Sequence, residues 1–89
     1  MTSKTTPRFW SAFRKLPSSI QRLADAKYQI WHSDPNHASL RFKPIKGHAD
    51  LWSVRIGDHY RAVGYHERAN LFIWTWIGSH EEYNKLIKR

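Results

Sequence analysis

The sequence predicts an α+β fold: a small, twisted, mainly antiparallel sheet of about three or four strands packed against an N-terminal helical hairpin, with a short C-terminal helix. Three observations predict it. Apolar residues recur at helical spacing up to about residue 32. From Leu40 onward the pattern alternates, as a strand does. A Ser-x-x-Glu signature at Ser79 and Glu82 then reopens a helix behind the last strand.

Residues 1–7, Met-Thr-Ser-Lys-Thr-Thr-Pro, show no apolar period and are expected to fray. Phe9, Trp10, Phe13 and Leu16 predict a short amphipathic helix from Arg8 to Leu16, which Pro17 ends. Pro17, Ser18 and Ser19 open a second helix that runs to about His32, where Ser33-Asp34-Pro35-Asn36 forces a turn. Its residues Ile20, Leu23, Ala24, Tyr28, Ile30 and Trp31 share one broad face, so the two helices form a hairpin.

Leu40 to Ile45 alternates apolar with basic residues, and Pro44, lacking an amide donor, marks it as an edge strand. Two alternating runs, Leu51 to Ile56 and His59 to Tyr65, flank Gly57-Asp58 and predict a β-hairpin. Tight pairing across that turn would set Arg55 against Tyr60 and mix the two faces. A longer turn that sets Arg55 against Arg61 or Val63 places both arginines on one face, with Trp52, Val54, Tyr60 and Ala62 on the core side. After a turn at His66 to Asn70, the run Leu71 to Ile77 is apolar on both faces and belongs mid-sheet. Strict alternation puts Phe72, Trp74 and Trp76 on one face, read as the packing surface under the helices rather than a base-stacking platform. Gly78-Ser79 is expected to break the strand before a last helix to Lys88.

The 89 residues make one domain, 1–89, with no room for a second core. A chain of this size buries only about 60–65% of its unfolded surface, so five Trp, four Tyr and four Phe must carry the packing. The absence of Cys excludes disulfides, thiolate metal sites and cysteine nucleophiles. No apolar run is long enough to cross a membrane, and no signal-type segment opens the sequence, so a cytoplasmic protein without a membrane partner is expected. Fifteen Lys and Arg against seven Asp and Glu give a formal charge of +8, which calls for an acidic partner, nucleic acid or protein.

Candidate chemistry concentrates in two places. Arg55 and Arg61 on one sheet face repel each other unless an anion lies between them, and guanidinium forks match phosphate; a solvated arginine pair is the other reading. At the strand-to-helix junction, the imidazole of His80 can act as acid or base and Tyr83 stands one turn on, although a histidine at a helix start also serves as an ordinary surface or capping residue. Arg41, Lys43 and Lys46 extend the basic surface along the first strand and its loop, where RNA or an acidic tail would be neutralised. His32, His37, His48, His59, His66 and His80 lack any metal-ligand spacing, so neither metal nor cofactor is expected.

In order and spacing, several segments together resemble the RelE/ParE superfamily of bacterial type II toxin-antitoxin toxins. They are the helical hairpin ending near Asp34-Pro35, Ser39-Leu40-Arg41-Phe42-Lys43, the stretch from Leu51 to Gly64, and Trp76-Ile77-Gly78-Ser79-His80-Glu81-Glu82-Tyr83. The resemblance spans about Phe9 to Leu86 and implies an antiparallel sheet flanked by a helical hairpin and a C-terminal helix. It implies a metal-independent endoribonuclease that cuts mRNA on the ribosome and is silenced by a cognate acidic antitoxin. By position, Arg55 and Arg61 are the phosphate-binding arginines, His80 the proton carrier, and Tyr83 the nearby tyrosine. This chain departs from the RelE pattern at Ser53, where a lysine would stand, and at His80, where an arginine would. Tyr83 also comes earlier than the family's terminal tyrosine. The ParE branch, which inhibits DNA gyrase and needs no nuclease residues, is the alternative the resemblance allows, and a non-toxic basic module of the same fold is a further one.

Overall fold

The computed structural model describes residues 1–88. Thr6 starts the first helix: its hydroxyl accepts the Phe9 amide at 3.2 Å, and Pro7 occupies the first turn, where no amide is needed. Helix α1 (Pro7–Arg14) is followed through Pro17 by α2 (Ser18–Ser33), as the proline and the apolar spacing require. Gln21 fastens the connection by donating to the Phe13 and Leu16 carbonyls.

The sheet is larger than expected. Its strands are β1 (Thr2–Thr5), β2 (Lys43–Pro44), β3 (Leu51–Arg55), β4 (Tyr60–Arg68) and β5 (Leu71–Ser79), in the order β1-β5-β4-β3-β2. Residues 2–5 do not fray: they lie parallel to β5, Thr2 opposite Leu71 and Thr5 opposite Trp74. Thr, Ser and Lys suffice there because an edge strand needs backbone pairing rather than apolar side chains. The expected strand from Leu40 shrinks to Lys43 and Pro44, since Ala38–Leu40 forms a 3₁₀ turn and Arg41 takes a left-handed φ of 47°. The expected turn at His66 to Asn70 reduces to Ala69 and Asn70, and β5 continues through Gly78 and Ser79, which pair with Arg61 and Tyr60.

Under the helices, Trp31, Leu40 and Phe72 are fully buried, with Val54, Ile56, Ala62, Trp74 and Ile77 around them. Trp31 meets Phe72 at 5.4 Å and Trp74 at 4.9 Å between ring centroids. Each such side chain contributes roughly 1.5–3 kcal/mol on burial. The indole N–H groups of Trp31 and Trp74 have no acceptor among the described residues, a cost of about 1–3 kcal/mol apiece that offsets part of this gain.

Helix α3 (His80–Ile87) does not join the hairpin. It folds back over the second face of the sheet, where Ile45, Val63 and Ile73 form a smaller apolar layer outside the main core. Its start is the expected capping box: the Ser79 hydroxyl accepts the Glu82 amide while the Glu82 carboxylate accepts the Ser79 amide. Its end is tied to the loop before β3, where His48 Nε2 donates to the Ile87 carbonyl at 2.6 Å.

Candidate functional site

The hairpin of β3 and β4 sets Arg55 directly opposite Arg61. Both therefore project from the second face, while Val54 and Ala62 enter the core, and this is the register that the longer turn predicts. Three rungs cross that face. Leu51, Tyr65 and Ile73 form an apolar one, Ser53, Val63 and Trp76 the next, and Arg55, Arg61 and Gly78 the last. The arginines thus stand at one end of the face, beyond its apolar layer and beside the start of α3.

Each arginine bends toward the hairpin turn. Arg55 Nε and Arg61 Nη1 both donate to the Gly57 carbonyl at 3.2 Å, and Arg61 Nη1 also donates to the Tyr60 carbonyl at 2.8 Å. Arg55 in addition forms an ion pair with the exposed carboxylate of Asp58. Partial burial and then the Arg55 cation hold the Arg61 pKa below the ordinary arginine value; Arg41 lowers it further, while Tyr83 and Asp58 act the other way. Arg55, Arg41, Tyr83 and Asp58 thus all lie near enough to Arg61 to act on its charge. Such a cluster gains from any anion that enters it.

His80 begins α3 one residue after the end of β5. Its backbone N–H donates to the His59 carbonyl at 2.7 Å, anchoring the helix start to the arginine end of β4. Its exposed ring stacks on Tyr83, centroids 6.1 Å apart at 18°. Lys43 lies opposite Ser53, one rung from Arg55, and is exposed. Lys46 does not join the cluster: it follows Ile45 at the far end of β2, beside the apolar rung.

Simple alternation misplaces one aromatic. A β-bulge between Val63 and Gly64 leaves Thr75 unpaired, so Trp76 pairs with Val63 and Trp74 with Gly64. Phe72 and Trp74 enter the core as expected. Trp76 emerges instead on the arginine face, where its ring lies across Gly78: a Cβ built there would come within 2.4 Å of the indole. The signal for this is a glycine facing a tryptophan-rich strand, since Gly64 allows the close approach of the Phe72 ring and the Ile73 carbonyl. Ser53, at the departure from the RelE pattern, is buried at 4% exposure and offers no cation.

A separate cavity of about 360 Å³ opens on the helical side among Phe9, Trp10, Tyr28, Trp31 and Trp74, and none of these candidate residues lines it. Among the described residues, no three His, Asp or Glu side chains converge as a metal-binding group, and no helix is long and apolar enough to cross a membrane.

The architecture is thus a basic cluster at one end of a five-stranded sheet, with a helical hairpin on one face and a short helix on the other. The family model of the ParE-like toxin domain matches residues 18–85, and the chain belongs to that family. Its structure is similar to the RelB-RelE antitoxin-toxin complex from Methanococcus jannaschii at a TM-score of 0.73 and 15% identity, covering 93% of this chain and 96% of that one. It is similar to the YoeB/ParE toxin from Agrobacterium tumefaciens (TM-score 0.70, 18% identity, 90% and 99% covered). YafQ from E. coli gives a TM-score of 0.71 at 9% identity, with 91% and 94% covered. At these identities the likeness is one of fold. No curated protein matches the sequence.

Proposed function

We propose that the protein is a toxin that cleaves mRNA on the ribosome. The observation that carries this reading is the rung of Arg55 and Arg61 with Tyr83 in its field and His80 at the adjoining helix start. Phosphodiester cleavage by the RNA's own 2′-hydroxyl needs cations for the charge that grows on phosphorus and a group that moves protons. Arg61 and Arg55 supply the first and His80 the second. As the O2′–P bond forms, the 2′-hydroxyl proton passes to a base. As the P–O5′ bond breaks, the leaving oxygen takes a proton, so the products are a 2′,3′-cyclic phosphate and a 5′-hydroxyl.

An acidic antitoxin is the matching partner. The similar M. jannaschii structure is an antitoxin-toxin complex, and a carboxylate-rich segment would compete with RNA for Arg41, Lys43, Arg55 and Arg61. The setting for both partners is the cytoplasm.

A second reading, gyrase inhibition without cleavage, is favoured by the ParE-like family model and by Ser53, which is buried where a RelE nuclease carries a lysine. The two separate in one experiment. Purified protein added to ribosomes programmed with a defined message should yield fragments with the termini given above, and His80→Ala should abolish them. Intact message together with blocked DNA supercoiling would overturn the nuclease reading.

A further inference from the structure

The bulge that turns Trp76 onto the arginine face gives it surroundings unlike those of the other tryptophans on β5 or α2. Trp31 and Trp74 are locked in the core at 0% and 6% exposure, whereas Trp76 is half-buried and lies outside the core cluster. Its indole spans Gly78, the residue directly opposite Arg61, so Trp76 and Arg61 rise from neighbouring strands on the same face. Gly78 leaves that position empty of any side chain, and the indole fills it.

Beside the ring is a cleft of about 170 Å³ lined by Lys15, Tyr60, Trp76, Gly78, Ser79 and Glu82 among others. Lys15 supplies a donor. Glu82 supplies an acceptor held in place, because its Oε1 already receives the Ser79 amide at 3.2 Å and hydroxyl at 3.1 Å. Ala12, Leu16 and Pro17 of the helical hairpin form the apolar wall of the cleft, which meets the arginine rung through Gly78, the residue opposite Arg61. An aromatic plane, a donor and a fixed acceptor at that distance from the arginine pair are parts that seat a nucleobase: stacking holds any base, and polar edges discriminate among them.

We infer that Trp76 is the platform on which a base of the bound RNA stacks beside the phosphate held by Arg55 and Arg61, and that this cleft sets the base preference. The inference rests on the nuclease reading for its biological meaning, yet it is tested by binding alone. The probe is a short, fluorescently labelled single-stranded RNA with 2′-O-methyl groups, which cannot be cleaved, measured by anisotropy beside inorganic pyrophosphate as a base-free competitor.

Trp76→Leu removes the aromatic plane, and Trp76→Tyr keeps one; both remove the indole, so their difference isolates stacking from packing. Expected is a loss of about tenfold in RNA affinity for Trp76→Leu, mostly restored in Trp76→Tyr, with pyrophosphate affinity equal in all three. Gly78→Ala, which displaces the ring without deleting it, should weaken RNA in the same direction. Equal RNA affinity for the Leu and Tyr variants, each with the unfolding midpoint of the parent, overturns the platform. RNA affinity unchanged by Arg61→Gln would instead overturn the phosphate site, and the Leu and Tyr comparison would still decide the platform. On programmed ribosomes, Trp76→Leu should redistribute cleavage among codons, and an unaltered distribution at unaltered KM also overturns the assignment.

Discussion

Arg55 and Arg61 face each other across β3 and β4 and share one acceptor, the carbonyl of Gly57. Two like charges at directly opposed sheet positions destabilise a strand pair. Here the turn folds back to serve both, and Gly57 can make that turn because it adopts a φ of +71°. The pair's charge is met only by a backbone dipole and one surface carboxylate, a weak substitute for a phosphate.

Arg61 is therefore expected to oppose folding while serving function. A base whose pKa is lower in the folded chain binds its proton less tightly there than when unfolded. Its charge consequently costs stability at every pH below the lowered value, neutrality included. Arg61→Gln should keep or raise Tm while reducing cleavage by about 100-fold or more. Scanning calorimetry and cleavage of a ribosome-bound message check the two halves, and a large fall in Tm would contradict the first.

Asp58 competes with any anion for Arg55. Its carboxylate is 73% exposed, so Asp58→Asn should shift stability by less than about 1 kcal/mol. RNA affinity should rise by up to about fivefold at low salt, and the gain should fade as ionic strength screens the site. Anisotropy titrations at two salt concentrations measure it; an equal gain at both would mean the effect is not electrostatic.

Gly64 is the pivot of the bulge. A Cβ there would come within 2.3 Å of the Ile73 carbonyl and 2.4 Å of the Phe72 ring, and the carbonyl belongs to the paired strand and cannot swing aside. Gly64→Ala should destabilise by about 3 kcal/mol or more, read as a lower urea midpoint. A midpoint within error of the parent would show that the two strands can separate locally at no cost.

Ser79 fixes the start of the helix that carries His80 and Tyr83. Ser79→Ala removes one half of the capping box and should cost about 1 kcal/mol. Ser79→Asp, which retains an acceptor, should recover most of it. Amide exchange in residues 81–83 locates the effect, and protection there equal to the parent would place the helix start under other control.

Much of this architecture is legible in the residues and some of it is not. The helical hairpin, the β3–β4 register and the Ser79–Glu82 cap follow from short-range signals: apolar spacing, the requirement that Val54 and Ala62 share the core face, and a four-residue motif. β1 escapes because its partner lies far along the chain, at residues 71–74, and its own residues are polar, so neither local period nor hydrophobicity marks it. The bulge escapes because alternation assumes an unbroken ladder; the inserted Thr75 reverses the facing of everything after it, which is how Trp76 changes sides. Of the basic residues read as RNA-binding, Arg41 and Lys43 fall near the arginine rung, while Lys46 is carried away by the shortness of β2.

The parallel pairing of β1 with β5 also orders events during synthesis. Thr2 to Thr5 precede the strand they pair with by α1, α2 and the β3–β4 hairpin, all of which are made in between. Contacts so distant along the chain form late and slowly. A nascent chain lacking β5 also lacks Trp76, Gly78, His80 and Tyr83, and its arginine pair has no neighbouring strand on the β4 side. The molecule thus acquires its complete basic face only once β5 and the start of α3 have been made, which leaves an interval in which a waiting partner can be the first thing that face meets.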